Sequence, residues 1–178
     1  MIEREYKFLV DKLPEYYDRK IDIVQIYFNP TSEIFKILDI DSPFKCTSRI
    51  RIQTEDGKTK YVLNIKGKGN IEREEFEKEI SYKQAKHILS SGIKSYLKKT
   101  RYIVSQNDFC FEFDEYKEHL KGLLTCEVEL DSLAISPDMI REKLLLNFDV
   151  HAKDVSLDKK YKNTNLAKKI ENSKELSF

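Results

Sequence analysis

Glu3, Glu5 and Lys7 stand at alternate positions near the start of a 178-residue chain. In extended backbone they share one face, while Tyr6 and Phe8 lie on the other. Paired carboxylates at this spacing offer oxygen ligands to a hard divalent cation, and a lysine beside them either balances the pair or meets an anion. The alternation recurs. Arg49 and Arg51 flank Ile50, Asn64 and Lys66 oppose Leu63 and Ile65, and Glu75, Glu77 and Glu79 alternate with Phe76 and Ile80. Glu112 and Asp114 oppose Phe111 and Phe113, and Glu127 and Glu129 oppose Val128 and Leu130. A single such strand is explained by one wet face of an antiparallel sheet. A whole sheet face of paired carboxylates is not, because like charges facing one another destabilise the sheet and need cations between them. A charged lumen that takes metal and anion meets that need.

The elements that must position these charges follow from the same pattern. Residues 2–10 read as a strand, and Leu13-Pro14-Glu15-Tyr16-Tyr17 as the start of a short helix, since proline is tolerated in a first turn. A strand over 22–29 puts Gln25, Tyr27 and Asn29 on one face. Asn29-Pro30-Thr31-Ser32 ends it, and the segment 33–46, in which Ile34–Ile40 suits a strand, reads as a hairpin excursion. Strands over 47–53 and 60–66 flank Asp56-Gly57, a hairpin signal that brings Arg49, Arg51 and Lys66 onto a common face. Gly67-Lys68-Gly69-Asn70 forms a flexible corner without P-loop spacing. A strand over 72–80 precedes a helix capped by Ser81, striped by Ala85, Ile88 and Leu89 and stopped by Gly92. Its His87 has no second ligand at helical spacing and is read as structural. Strands over 98–105, 109–116 and 123–130 complete the set. Ser136-Pro137-Asp138 opens a helix to about Asn147 with Met139, Ile140, Leu144 and Leu145 as contacts, and 166–176 reads as an amphipathic helix or a tail.

Composition sets the frame. Lys plus Arg number 32 against 31 Asp plus Glu, and a net charge of +1 gives no global attraction to nucleic acid or anionic membrane. Cys46, Cys110 and Cys126 lack metal-type spacing and are odd in number, as suits reduced thiols. With no leader pattern and no long apolar run, the expectation is one domain over 1–178 in the cytoplasm.

Taken together, these blocks resemble the CYTH domains, or triphosphate tunnel metalloenzymes. Glu3-Arg4-Glu5-Tyr6-Lys7 is similar to the family's Glu-x-Glu-x-Lys signature, Arg49-Ile50-Arg51 to its paired-arginine strand, Asn64-Ile65-Lys66-Gly67 to its lysine strand, and 73–80 to its glutamate strand. Lys99-Thr100-Arg101-Tyr102, Phe111-Glu112-Phe113-Asp114, Cys126-Glu127-Val128-Glu129-Leu130 and 158–167 follow in the family's order. Lys160 stands where the family often has arginine, which removes a bidentate phosphate fork. The excursion between Asn29 and Cys46 is longer than the family pattern.

The resemblance implies an α+β, mainly β fold: an eight-stranded antiparallel β-barrel, open as a tunnel, with helices packed outside. It implies a small-molecule triphosphate held by Arg49, Arg51, Lys66, Lys99, Arg101, Lys159 and Lys160. Mg²⁺ or Mn²⁺ would be held by Glu3, Glu5, Asp114, Glu127 and Glu129, with Glu3, Glu5, Lys7 and Glu129 as catalytic candidates. Lys7 either touches phosphate or balances Glu3 and Glu5, and Glu75, Glu77 and Glu79 partner the lumen bases, with the alternative that one of them holds metal or orients water. The leading expectation is metal-dependent hydrolysis of inorganic tripolyphosphate. Adenylate cyclase, thiamine triphosphatase and nucleoside triphosphatase share the fold. A non-catalytic polyphosphate binder is the reading from another class, and it leaves the carboxylates without a purpose. No nucleic-acid or membrane partner is expected, and a homodimer stays open.

Overall fold

The computed structural model describes residues 2–41, 43–106, 108–131 and 134–169. Strands β1 (Ile2–Val10), β2 (Arg19–Phe28), β3 (Thr47–Glu55), β4 (Lys58–Lys66), β5 (Glu72–Ile80), β6 (Ser95–Gln106), β7 (Phe109–Tyr116) and β8 (Leu124–Glu129) are all antiparallel to their neighbours. Their order, β6-β2-β3-β4-β5-β1-β8-β7, closes on itself through a β6–β7 pairing into the eight-stranded barrel that the resemblance implies. Closure leaves no free edge and separates two faces on every strand.

The outward faces are apolar and carry the cores. Phe8, Phe111, Phe113 and Val128 pack beneath helix α3 (Pro137–Phe148), which supplies Ile140, Leu144 and Phe148. Ile26, Ile50, Leu63 and Ile65 pack beneath α1 (Ser32–Ile37) and α2 (Tyr82–Ser90). Fully burying one such aliphatic side chain contributes about 1.5–3 kcal/mol. The barrel therefore takes its stability from its outside, and its lumen is left for polar groups.

Local signals set the element ends. Asp56 and Gly57 both have positive φ, 48° and 75°, the conformation a two-residue hairpin between twisted strands demands. Ser81 and Gln84 close a reciprocal capping box at the start of α2. At the corner before β5, a Cβ on Gly69 would lie 2.0 Å from the Glu72 carbonyl oxygen, so this corner is tight rather than flexible.

Three expectations give way. Residues 13–17 form no helix, because the chain there is carried straight across to β2 with Asp18 bonded to Ile103. The 33–46 excursion is not a hairpin: its first part is α1, whose Ile34 and Phe35 are buried under the barrel, so tertiary packing overrides the strand propensity of the isoleucines. On α3, Met139 and Leu145 are exposed while Ile140 and Leu144 make the contacts. Of the helix or tail expected over 166–176, only Leu166 is helical, as the end of a one-turn helix, α4 (Asn163–Leu166), Lys168 and Lys169 pair in extended form with β6, and 170–176 lie outside the described residues.

The wall is weakest between β1 and β5. Only Ile2, Glu3 and Arg4 pair with Glu74, Arg73 and Glu72. Beyond that, β1 turns to a short strand, β9 (Ala152–Asp154), and the segment from Val155 to α4 lies against the gap. No helix among the described residues is long and apolar enough to cross a membrane.

Candidate active site

The inward faces enclose a cavity of about 1220 Å³ that contains, from the expected set, Glu3, Glu5, Lys7, Arg49, Arg51, Lys66, Lys99, Arg101, Glu127, Glu129 and Lys159. Asp114 lies behind this surface, fully buried. Lys160 does not line the cavity and instead reaches over the Tyr161 ring.

Register places acid against acid. Glu5 pairs with Glu129 across β1 and β8, and Glu112 with Glu127 across β7 and β8. Part of this repulsion is answered inside the lumen. Arg101 grips Asp114 with Nε and Nη2, both at 2.8 Å, reaches Glu127 at 2.6 Å, and also binds Glu112. Lys99 joins the same Asp114 carboxylate. Lys7 Nζ lies 3.0 Å from Glu127 and donates to Tyr116 and Asn163, so it balances Glu127 rather than Glu3 or Glu5. That task falls to Lys66, bonded to Glu3, and to Arg73, which donates to Glu3 at 2.8 Å and to Glu5.

The ionisation of the lumen groups records the balance. Burial works against a charged Glu127, but Lys7, Lys99 and Arg101 outweigh it and hold this carboxyl well below the ordinary range. Burial raises Glu5, with Glu127 and Glu3 adding to the rise in spite of Lys66 and Arg73. Burial also raises Glu129, and the charges acting most strongly on it are four more carboxylates, Glu112, Glu3, Glu75 and Glu5. On the opposite side burial and Arg49 lower Arg51, and burial and Arg101 push Lys99 down to about 8.

This surplus decides what the lumen can take. Buried charges need partners, yet Arg49 Nε and Arg51 Nε are buried without any hydrogen bond. Their other nitrogens reach Gln25 at 3.3 Å and Glu77 at 2.5 Å. Guanidinium groups that line a cavity with hydrogen-bonding capacity to spare suit the oxygens of a phosphate chain. The raised carboxyls of Glu5 and Glu129 suit a hard divalent cation, which takes oxygen ligands. Among the described residues no three carboxylates converge on one point as arranged, so holding a metal would require Glu3 and Glu5 to exchange Arg73 and Lys66 for it.

Arg73, Tyr116 and Asn163 belong to the lumen's charge network but not to the expected set. Arg73 carries the parity of Glu75 and Glu77, and Tyr116 that of Glu112 and Asp114, so both were within reach of the alternation. Asn163, which accepts from Lys7 at 3.0 Å and from Tyr116 at 2.6 Å, comes from the closing segment, where no period applies. His87 is exposed beside Glu33 and far in sequence from all of these, and the three cysteines are free.

The class so defined is a closed antiparallel barrel whose lumen is lined by carboxylates together with guanidinium and ammonium groups. The family model for the CYTH domain matches residues 1–161, and the chain belongs to that family. An inorganic triphosphatase of Nitrosomonas europaea is 28% identical over 171 residues, spanning 96% of this chain and 99% of that protein. A crystal structure of an inorganic triphosphatase superposes with a TM-score of 0.54 at 26% identity over 93% of each chain. A Hippeastrum protein, named as an adenylyl cyclase with a dominant triphosphatase activity, shares the fold at 14% identity and a TM-score of 0.56, over 82% of this chain and 87% of that one.

Proposed function

We propose that this protein hydrolyses a phosphoanhydride bond of a triphosphate, foremost inorganic tripolyphosphate, with a divalent metal ion, Mg²⁺ or Mn²⁺. The observation that carries this reading is one cavity lined both by Arg49 and Arg51, whose buried Nε atoms make no hydrogen bond, and by the carboxylates of Glu5 and Glu129. A polyphosphate binder would need only the first of these groups. The likeness to an inorganic triphosphatase over almost the whole of both chains supports the same reaction here.

The chain's own part is positioning and charge neutralisation, which carry most of the catalysis of phosphoryl transfer. Arg49 and Arg51 hold phosphate oxygens through two N–H groups each, and Lys66 and Lys99 add point charges. Arg101, locked by Asp114, Glu112 and Glu127, keeps the base wall rigid and turns its remaining charge to the cavity. Glu3, Glu5, Glu127 and Glu129 would hold the metal, which when bound offsets phosphate charge and polarises the phosphoryl oxygen. Water attacks a terminal phosphorus in line, the bridging P–O bond breaks, and orthophosphate and pyrophosphate leave. Buried Tyr116 and Asn163 fix Lys7, which keeps Glu127 ionised as a ligand. The free thiols fit a reducing cytoplasm.

Incubation of the purified protein with tripolyphosphate, ATP or thiamine triphosphate, and either Mg²⁺ or Mn²⁺, tests the reading. Equimolar orthophosphate and pyrophosphate from tripolyphosphate, at a kcat/KM above that for the other two, is the expected result. Cyclic AMP as the main product from ATP, or no phosphate release from any of them, would overturn it.

A further inference from the structure

Arg73 differs from every other arginine of the lumen. It stands directly opposite Glu3 in the short β1–β5 seam. Its Nε donates to Glu3 Oε2 at 2.8 Å and its Nη2 to Glu5, so one guanidinium bridges the first two carboxylates of the chain. Arg101, by contrast, is pinned by Asp114, Glu112 and Glu127 on two other strands, and its retention depends on neither Glu3 nor Glu5. Arg73 is only about 15% exposed, lines the cavity that the bases line, and is held there by the same two oxygen pairs that would serve a metal.

A divalent cation and a guanidinium cannot share that ground. Either one satisfies Glu3 and Glu5, and both together would bring like charges to contact distance in a low-dielectric lumen. When the cation is bound, Arg73 loses its partners and becomes a charged fork inside a cavity, and phosphate oxygens are the anions such a fork binds bidentately.

Building on the functional reading above, we propose that Arg73 is an exchangeable counter-ion: it holds Glu3 and Glu5 until a divalent metal takes them, then turns to the triphosphate. Metal and triphosphate thereby favour each other's binding beyond their direct attraction, since each removes an obstacle to the other. Linkage makes this coupling reciprocal. Arg73 acts on binding in this account, and its effect is on binding order rather than on the bond broken.

Calorimetric titration of Mn²⁺ into the wild-type protein and into Arg73→Met, each with and without the imido analogue of tripolyphosphate, tests it without turnover. In wild type Mn²⁺ alone binds weakly and the analogue tightens it. In Arg73→Met the expected result is Mn²⁺ alone binding at least fivefold tighter, with the tightening by analogue reduced to less than half its wild-type factor. The metal-free variant should also melt below wild type, because Glu3 and Glu5 have lost a cation, and Mn²⁺ should restore more of its stability than it adds to wild type. Arg73→Lys, which keeps a cation of shorter reach, should fall between the two and guards against a folding defect of the methionine variant. Mn²⁺ affinity in Arg73→Met equal to or weaker than wild type, with unchanged coupling, would overturn the exchange. A wild-type protein that binds neither Mn²⁺ nor the analogue would instead overturn the functional reading and this inference with it.

Discussion

On the lumen wall built by β1, β7 and β8, burial and neighbouring carboxylates hold Glu5, Glu112 and Glu129 above the ordinary carboxylate range. On the wall built by β3 and β6, burial and neighbouring arginines hold Arg51 and Lys99 below their ordinary values. Each wall is thus pressed toward neutrality largely by its own kind, although the opposite charge lies across the same cavity. Where opposite charges do meet, across the walls at Arg101 with Asp114 and Glu127 and within one wall at Lys7 with Glu127, they are satisfied and their bonds number two or more per side chain. The lumen therefore divides into a multiply bonded frame and a less fully paired working surface, in which Arg51 Nε has no partner, and the two parts should respond oppositely to substitution.

The largest effect tests that division. Arg101→Met removes the common partner of three carboxylates and leaves them buried, which should cost about 3–5 kcal/mol. At roughly 2–4 °C per kcal/mol for a chain of this size, the melting temperature should drop by about 10 °C. Arg51→Met removes a cation that its neighbours already crowd, so stability should change by no more than about 1 kcal/mol. Its kcat/KM should nonetheless fall by about 2–5 kcal/mol of transition-state stabilisation. Thermal melting of both variants decides the matter, and equal losses of stability would show that the base wall has no separate working part.

Next in size is the pH response of the base wall. Lys99 titrates at about 8 in the folded protein against 10.5 when unperturbed. Between those values the unfolded state binds more protons than the folded one, so the contribution of this group to stability rises with pH across that window. Below it both states are protonated and the cost of the buried ammonium is constant. Urea unfolding at pH 7.5 and pH 10 should show a gain on the order of 2 kcal/mol in wild type that Lys99→Met lacks. A parallel pH profile in the two proteins would mean that Lys99 is not strained.

The acid wall gives the mirror response at smaller magnitude. Glu129 has a raised carboxyl, so the folded state keeps its proton longer, and the stability it contributes falls as pH rises from the ordinary carboxylate value through the raised one. Glu129→Gln should therefore leave the protein at least as stable as wild type at pH 7, while metal-dependent turnover is lost, as expected of a charge kept for function. A clear loss of stability would place Glu129 in the paired frame.

Most of this division was written in the alternation of charged and apolar residues. Parity alone puts Glu3, Glu5 and Lys7 on one face with Tyr6 and Phe8 behind, and the Asp56-Gly57 turn fixes how Arg49 and Lys66 come together. Parity does not say which opposite charges meet. That depends on shear between strands, so Lys7 finds Glu127 on β8 and leaves Glu3 to Arg73, a pairing no local pattern contains. Helix α1 was hidden for a different reason: Ile34, Ile37 and Ile40 favour a strand locally, and only burial of Ile34 and Phe35 against the barrel makes the helix the better state. Asn163 reaches the lumen from a segment that closes the β1–β5 gap, where position comes from tertiary packing alone.

The smallest effect is expected where the base wall runs out to the solvent. Lys159 lines the cavity from an exposed position, while its neighbour Lys160 reaches over the Tyr161 ring and is absent from the lining. Both carry the same charge on adjacent residues, so any long-range attraction of a polyanion should be shared between them. Only a direct contact would separate them. At 0.15 M salt, charges beyond about 8 Å are largely screened, and Lys159→Gln should then raise KM for tripolyphosphate about threefold while Lys160→Gln leaves it unchanged. At low salt both substitutions should slow association by a similar modest factor, since steering depends on net field rather than on contact. Steady-state kinetics at two ionic strengths distinguishes the cases. If the two variants match at both, Lys159 acts only through its field, and the working surface of the base wall ends at the barrel.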